Sequence, residues 1–236
     1  AETGEHLYAL KGHKDSVLVA HFSPDGRKIV SASADGTGKL WIAATRRMIA
    51  DLSGHEAKVN TAQFSPDGKW IVTGSSNSTV AIWNTKTGDG KYLGERGDLQ
   101  HRSAVVAIDF SYDNKYVVTA SEDRTAKVWD IVTGKLVRTL QNHTDKLNAV
   151  KFSPDGSKIL TASRDKTAKI WNVVDGRLLL TLTGHTNSIK SAQFSPDGKK
   201  IVTTSFDSTA RIWDVASGKT IVILNGHKRT VWSAGF

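Results

Sequence analysis

The sequence predicts an all-β repeat array. Three observations predict it: histidines and tryptophans that share one period, a tight-turn tetrapeptide at a fixed place in that period, and short β-branched runs between these markers. Six of the eight histidines (His13, His55, His101, His143, His185 and His227) lie 42 residues apart, except for one step of 46. Five of the seven tryptophans (Trp41, Trp83, Trp129, Trp171 and Trp213) keep the same steps, each 28 residues after its histidine. The four additional residues therefore fall between Trp83 and His101.

Each element of the repeat has a local cause. Runs such as Lys28-Ile29-Val30-Ser31-Ala32-Ser33 and Ala168-Lys169-Ile170-Trp171 are short, rich in branched residues and bounded by turns, which suits strands. All four prolines sit in Ser-Pro-Asp-Gly, at 23–26, 65–68, 153–156 and 195–198. Proline presets φ and glycine supplies a positive φ, so each tetrapeptide is expected to be a hairpin turn. The third repeat has Ser111-Tyr112-Asp113-Asn114 there, and asparagine also tolerates the left-handed conformation. No segment sustains a helical period.

Composition sets outer limits. A chain of 236 residues is long enough to bury roughly 70–75% of its unfolded surface. There is no cysteine, which excludes disulfide scaffolds, thiolate zinc sites and thiol catalysis. No apolar run approaches the ~18–20 residues of a membrane-spanning helix, and nothing at the start reads as a secretory signal, so a cytoplasmic location is expected. A net charge of +9 favours acidic partners without proving one.

These residues resemble the Trp-Asp (WD) repeat family of β-propellers. The likeness rests on Gly-His at 12–13, 54–55, 184–185 and 226–227, on Trp-Asp at 129–130 and 213–214, and on the repeat length. Gln100-His101 and Asn142-His143 lack the glycine, and Trp41-Ile42, Trp83-Asn84 and Trp171-Asn172 lack the acid. The resemblance implies one domain over 1–236, a WD-repeat β-propeller of four-stranded antiparallel blades. Its repeat units are expected near 1–42, 43–84, 85–130, 131–172 and 173–214, with a partial unit at 215–236. Each unit supplies the outer strand of one blade and the three inner strands of the next. That leaves five complete repeats and the two end strands of a sixth. Closure of the ring could come from further residues of a longer array or from assembly with another copy, or the chain could be an engineered form.

The resemblance also implies a buried hydrogen-bond network per blade. By position the sets are His13, Ser33, Asp35 and Trp41; His55, Ser75, Asn77 and Trp83; His101, Ser121, Asp123 and Trp129; His143, Ser163, Asp165 and Trp171; and His185, Ser205, Asp207 and Trp213. An indole N–H only donates, a hydroxyl donates and accepts, and a carboxylate fixes one imidazole nitrogen. Asn77 replaces the acid in the second set, so that network is expected to be the weakest. Serine, histidine and aspartate also invite a hydrolase reading. Five copies at one spacing argue against it, because a catalytic constellation is normally unique. Histidines spread around a ring do not converge on a metal, and neither a phosphate-binding glycine loop nor His-Glu-x-x-His occurs. No catalytic residue, cofactor or metal is expected.

If the networks hold the scaffold, specificity belongs to positions that vary between repeats. The resemblance points to the third and fifth residues after each histidine and to the residue before each turn acid. These positions supply Lys58, Lys146, Lys190, Arg164 and Glu122 beside two aromatics, Phe206 and Trp232. Cations with aromatics suit an acidic or aromatic-bearing protein or peptide, although a merely solvated basic surface with Trp232 turned inward fits the same residues. Dispersed lysines attract nucleic acid only non-specifically, and no groove-reading helix is visible, so neither sequence-specific nucleic acid nor membrane is an expected partner. The expected role is a non-enzymatic protein-interaction scaffold. The alternative is an amplified repeat array or fragment whose role is structural self-assembly, forming a homo-oligomer through an incomplete closing blade. Arg96-Gly97-Asp98 falls in the irregular insertion and is attributed to chance.

Overall fold

A computed structural model of the chain describes residues 9–94 and 100–236. The Arg96-Gly97-Asp98 string, and most of the outer strand expected before Leu10, lie outside the described residues. Twenty strands form five antiparallel four-stranded sheets, and among the described residues there is no helix. The first sheet is β1 (Val17–Phe22), β2 (Lys28–Ser33), β3 (Gly38–Ile42) and β4 (Met48–Leu52). The second is β5 (Val59–Phe64), β6 (Trp70–Ser75), β7 (Val80–Asn84) and β8 (Gly90–Tyr92). The third is β9 (Val105–Phe110), β10 (Tyr116–Ser121), β11 (Thr125–Asp130) and β12 (Leu136–Gln141). The fourth is β13 (Leu147–Phe152), β14 (Lys158–Ser163), β15 (Ala168–Asn172) and β16 (Leu178–Leu182). The fifth is β17 (Ile189–Phe194), β18 (Lys200–Ser205), β19 (Ala210–Asp214) and β20 (Thr220–Leu224).

The tight turns are built as their residues require. In Ser23-Pro24-Asp25-Gly26 the Gly26 N–H donates to the Ser23 carbonyl at 2.8 Å, with φ of 69° at the glycine. Ser23 Oγ donates to the Asp25 carboxylate at 2.6 Å and accepts the Lys28 N–H at 2.9 Å, tying the turn to the strand that follows. In the third repeat Asn114 takes the glycine's place at φ 58°, and its N–H reaches Ser111 O at 3.0 Å. The 85–100 insertion accompanies the shortest strand, β8, where Gly90 faces the Trp83 ring. A Cβ there would stand 2.1 Å from Trp83, so only glycine lets the strand cross it.

The first strands of successive sheets pack closely against one another and the fourth strands much less so, so the sheets radiate from a shared centre. The apolar cores lie between sheets rather than within one. Leu40 and Leu52 meet Val59 and Phe64 between the first two, and Leu160 and Leu182 meet Ile189 and Ile201 between the last two. Five sheets thus enclose four such cores, with a smaller cluster of Ile29, Trp41, Ala43 and Leu10 at the free side of the first.

The outer faces of the end sheets are bare by comparison. Val17 is 53% exposed, whereas Val59, Val105, Leu147 and Ile189 at the same position are at most 1% exposed. Leu224 is 44% exposed, against at most 2% for Leu52, Leu140 and Leu182. Past β20 the chain returns to the centre, where Val231 is buried and its N–H donates to Ser205 O at 3.1 Å. The innermost strand expected at the end follows this path without regular ladder pairing, and the described residues supply no second strand for it.

Candidate functional site

One polar relay recurs in every sheet. In the fourth, Trp171 Nε1–H donates to Thr161 Oγ1 at 2.9 Å, and that hydroxyl lies 2.8 Å from His143 Nε2. His143 Nδ1 lies 2.7 Å from Asp165 Oδ2. A neutral imidazole satisfies the whole chain in one direction: indole to hydroxyl, hydroxyl to Nε2, Nδ1–H to carboxylate. Asp165 Oδ2 also accepts the Thr144 N–H at 3.1 Å, and Oδ1 accepts the Thr167 hydroxyl at 2.6 Å. The same relay holds His13 with Asp35, His101 with Asp123, and His185 with Asp207. Burial opposes ionisation of these carboxylates, but the hydrogen bonds from hydroxyl, imidazole and backbone outweigh it. Asp35, Asp123 and Asp165 are held far below the ordinary range and Asp207 at about 2.

The bridging hydroxyl corrects the sequence expectation. Histidine and tryptophan meet on Ser31, Thr73, Thr119, Thr161 and Thr203, not on Ser33, Ser75, Ser121, Ser163 and Ser205. Residues two apart share one face of a strand, so either column faces the right way. The indole decides between them by length. Trp171 is register partner to Ile159, and its ring extends along the strand to the diagonal neighbour Thr161, short of Ser163. The serines brace the turn instead. Ser163 Oγ donates to the carbonyls of Asp145 and Lys146 and accepts the Asp165 N–H, each at 3.0 Å.

Asn77 changes the second relay. His55 Nδ1 meets Thr79 Oγ1 at 2.7 Å, and the Thr79 hydroxyl passes the chain to Asn77 Oδ1 at 2.6 Å. The relay is complete but ends on an amide. Burial pushes the His55 pKa down to about 4 with no carboxylate to oppose it, whereas Asp123 and Asp207 counter the same effect at His101 and His185. The His55 ring is therefore expected to titrate near pH 4 when its carbons are followed by NMR, and Asn77→Asp to raise that midpoint. Below pH 6.5 the unfolded chain takes up a proton that folded His55 refuses. Stability is complete above the ordinary value and falls by roughly 3 kcal/mol as pH drops toward 4. A midpoint of about 6.5 in both proteins would refute control by burial.

The variable positions divide into two groups. Lys190 Nζ lies 4.6 Å from the Trp232 ring centre and 5.2 Å from that of Phe206, and the two rings stand 6.0 Å apart. Trp232 is not turned inward; it is 66% exposed, and Phe206 is exposed as well. Partial burial lowers the Lys190 pKa, and the nearby charge of Arg164 lowers it further. By contrast Lys146 Nζ is paired with Glu122 Oε2 at 2.7 Å, and Lys58 is exposed without joining either group. Asn60 and Asn148, at the same positions as Lys190, act as clamps between sheets, donating to Val105 O at 2.9 Å and Ile189 O at 2.7 Å.

A family model described as WD domain, G-beta repeat matches residues 4–41, 46–84, 96–130, 134–172 and 176–214. The chain belongs to this family. No curated protein matched the sequence. WD repeats generally serve as non-enzymatic scaffolds for protein interactions, and the five relays suit that role. Each serine or threonine oxygen of a WD relay is committed to the fold. Thr161, the hydroxyl nearest His143, is fully buried, and Thr167, 3.4 Å from the other ring nitrogen, donates its proton to Asp165 Oδ1. A nucleophile needs access that Thr161 lacks. Among the described residues no group of three or more His, Cys, Asp or Glu converges as a metal site.

Proposed function

We propose that this WD array is a non-enzymatic platform and that the surface around Lys190, Phe206, Trp232 and Arg164 takes an acidic protein segment carrying an aromatic or aliphatic anchor. The observation that carries this reading is a lysine held between two exposed rings. Exposed aromatics beside unpaired cations favour a ligand that brings carboxylates for the charges and an apolar group for the rings. Lys190 and Arg164 have no acidic partner among the described residues, so a bound carboxylate relieves their mutual repulsion. Lys146 and Glu122, already paired, are left out of the site.

The capped peptide Glu-Glu-Phe-Glu-Glu, titrated by calorimetry at low salt, tests this. Binding is expected, with Trp232→Ala weakening it roughly tenfold and Lys190→Glu with Arg164→Glu abolishing it. Lys58→Glu makes the same kind of charge change elsewhere and should leave the affinity intact. Equal losses in all three variants would reduce the interaction to net charge. The bare faces at Val17 and Leu224 favour a competing reading, self-assembly through the end sheets. A native mass of a dimer or larger species in the same samples, without peptide binding, would select it.

A further inference from the structure

A polar cavity of about 460 Å³ lies on the third sheet, and none of the Lys190 cluster lines it. Its lining includes Arg102, Arg124, Lys127, Thr139 and Gln141. Arg102 directly follows the relay histidine, Arg124 sits at φ 72° in the turn between β10 and β11, and Lys127 lies on β11. Lys127 is buried, with Nζ 3.4 Å from the Thr139 hydroxyl. Burial lowers its pKa; Asp123 opposes the shift, and Arg102 adds to it.

The two carboxylates in the lining are already engaged. Glu122 holds Lys146 at 2.7 Å. Asp123 Oδ2 accepts from His101 and the Arg102 N–H, and Oδ1 from the Thr125 N–H and hydroxyl. Among the described residues none of the three cations forms an ion pair. Other sheets do not repeat this excess. In the first the equivalent residues are Lys14, Gly36 and Lys39, and Lys39 is neutralised by Asp51 at 2.9 Å. In the second they are Glu56, Ser78 and Ala81, and in the fourth Thr144, Lys166 and Lys169.

We propose that this cavity binds a phosphate monoester. Three cations beside one carboxylate committed to His101 and another committed to Lys146 leave an excess of positive charge, and an ester of charge about −1.5 to −2 near neutral pH offsets that excess better than a single carboxylate. Guanidinium groups match phosphoryl oxygens with paired donors, and Lys127 supplies a third positive charge at the floor. The volume exceeds what a phosphoryl head needs, which leaves room for its carrier.

Calorimetry of the full chain with O-phosphoserine and, separately, inorganic phosphate tests the site. Arg102→Thr with Arg124→Ser installs the residues that the fourth and fifth sheets have at these positions, Thr144 and Ser208, the latter already at φ 68°. An unchanged unfolding midpoint shows that this variant is folded. Phosphoserine is expected to bind the natural chain, and the double variant to bind it at least roughly tenfold more weakly. Lys166→Ser removes a cation from the same turn of the fourth sheet and should change nothing. Tighter binding of phosphoserine than of phosphate assigns the site to esters; equal binding assigns it to free phosphate. Failure of both probes to bind, or equal weakening by Lys166→Ser, overturns the proposal.

Discussion

Replacing His143 by alanine is expected to lower stability by about 3–5 kcal/mol at pH 7.5, and replacing His55 by about 1–2 kcal/mol less than that. Both changes remove a ring that stands edge-on or tilted to its tryptophan; His55 also meets the Tyr92 ring at 5.8 Å, which works against the difference expected here. The partners left behind differ. His143→Ala strands Thr161 and removes the imidazole from Asp165, a carboxylate whose side chain is 7% exposed. His55→Ala strands only the hydroxyls of Thr73 and Thr79. Guanidinium unfolding curves at two pH values separate the contributions. Asp165 has its pKa depressed in the fold against the opposing effect of burial, so its contribution is present above about 3.8 and lost as pH falls through the folded value. The cost of His143→Ala should therefore narrow only in strong acid. The cost of His55→Ala should narrow already between pH 6.5 and 4, where natural His55 itself becomes a burden. Equal costs at pH 7.5 would show that the acid adds nothing to the relay.

Most of the architecture is legible in the sequence because the repeat states it five times. The shared period of histidine and tryptophan predicts a β repeat array, the family resemblance implies one four-stranded sheet per repeat, and Ser-Pro-Asp-Gly places each first hairpin where Gly26, Gly68, Gly156 and Gly198 take a positive φ. A match at one position could be accident; the same turn at the same phase cannot arise without the same strands around it. The acid of the relay, and its replacement by Asn77, are legible through the family resemblance carried over position by position. What periodicity does not encode is distance across a sheet. Three hydroxyl columns run through the repeats, at Thr161, Ser163 and Thr167 and their equivalents, and a period of two puts the first two on one face. Only the length of an indole lying along the strand selects Thr161.

The surface is less legible because three successive units contribute to it: Arg164 from the fourth, Lys190 and Phe206 from the fifth, and Trp232 from the partial unit after it. Lys190 lies on β17 and Phe206 directly after β18 of the same sheet, and the meeting of Trp232 with them depends on where the chain returns after β20. The sequence offers Lys146 and Glu122 as two independent ligand contacts, yet the fold spends them on each other. Arg102, Arg124 and Lys127 do not stand out among the charged residues of one repeat. A usable signal existed in comparing each repeat position for charge. Only the third repeat combines cations after the histidine, in the turn and on the third strand without an acid at the position of Asp51.

Thr161→Val is expected to cost about 2–4 kcal/mol, more than Ser163→Ala, at about 1–2 kcal/mol. Valine keeps the shape and branching that the strand requires, so the change deletes a hydroxyl and little else. That hydroxyl accepts the indole N–H of a buried Trp171 and donates to His143 Nε2. Without it the indole has no acceptor and the ring nitrogen no donor, and neither site admits water easily because Thr161 is fully buried and Trp171 nearly so. Ser163→Ala also removes a buried oxygen, but its partners are partly served elsewhere. The Lys146 carbonyl still accepts the Arg164 N–H at 2.9 Å, and the Asp145 carbonyl belongs to an exposed residue, so the Asp165 N–H is the main group left without its partner. Denaturant midpoints of the two variants, with the indole Nε1 proton of Trp171 followed by NMR, measure the difference. Loss of that proton's protection in Thr161→Val but not in Ser163→Ala identifies the threonine as the node. The opposite order would return that role to the serine column and require the tryptophan ring to lie differently across its strand.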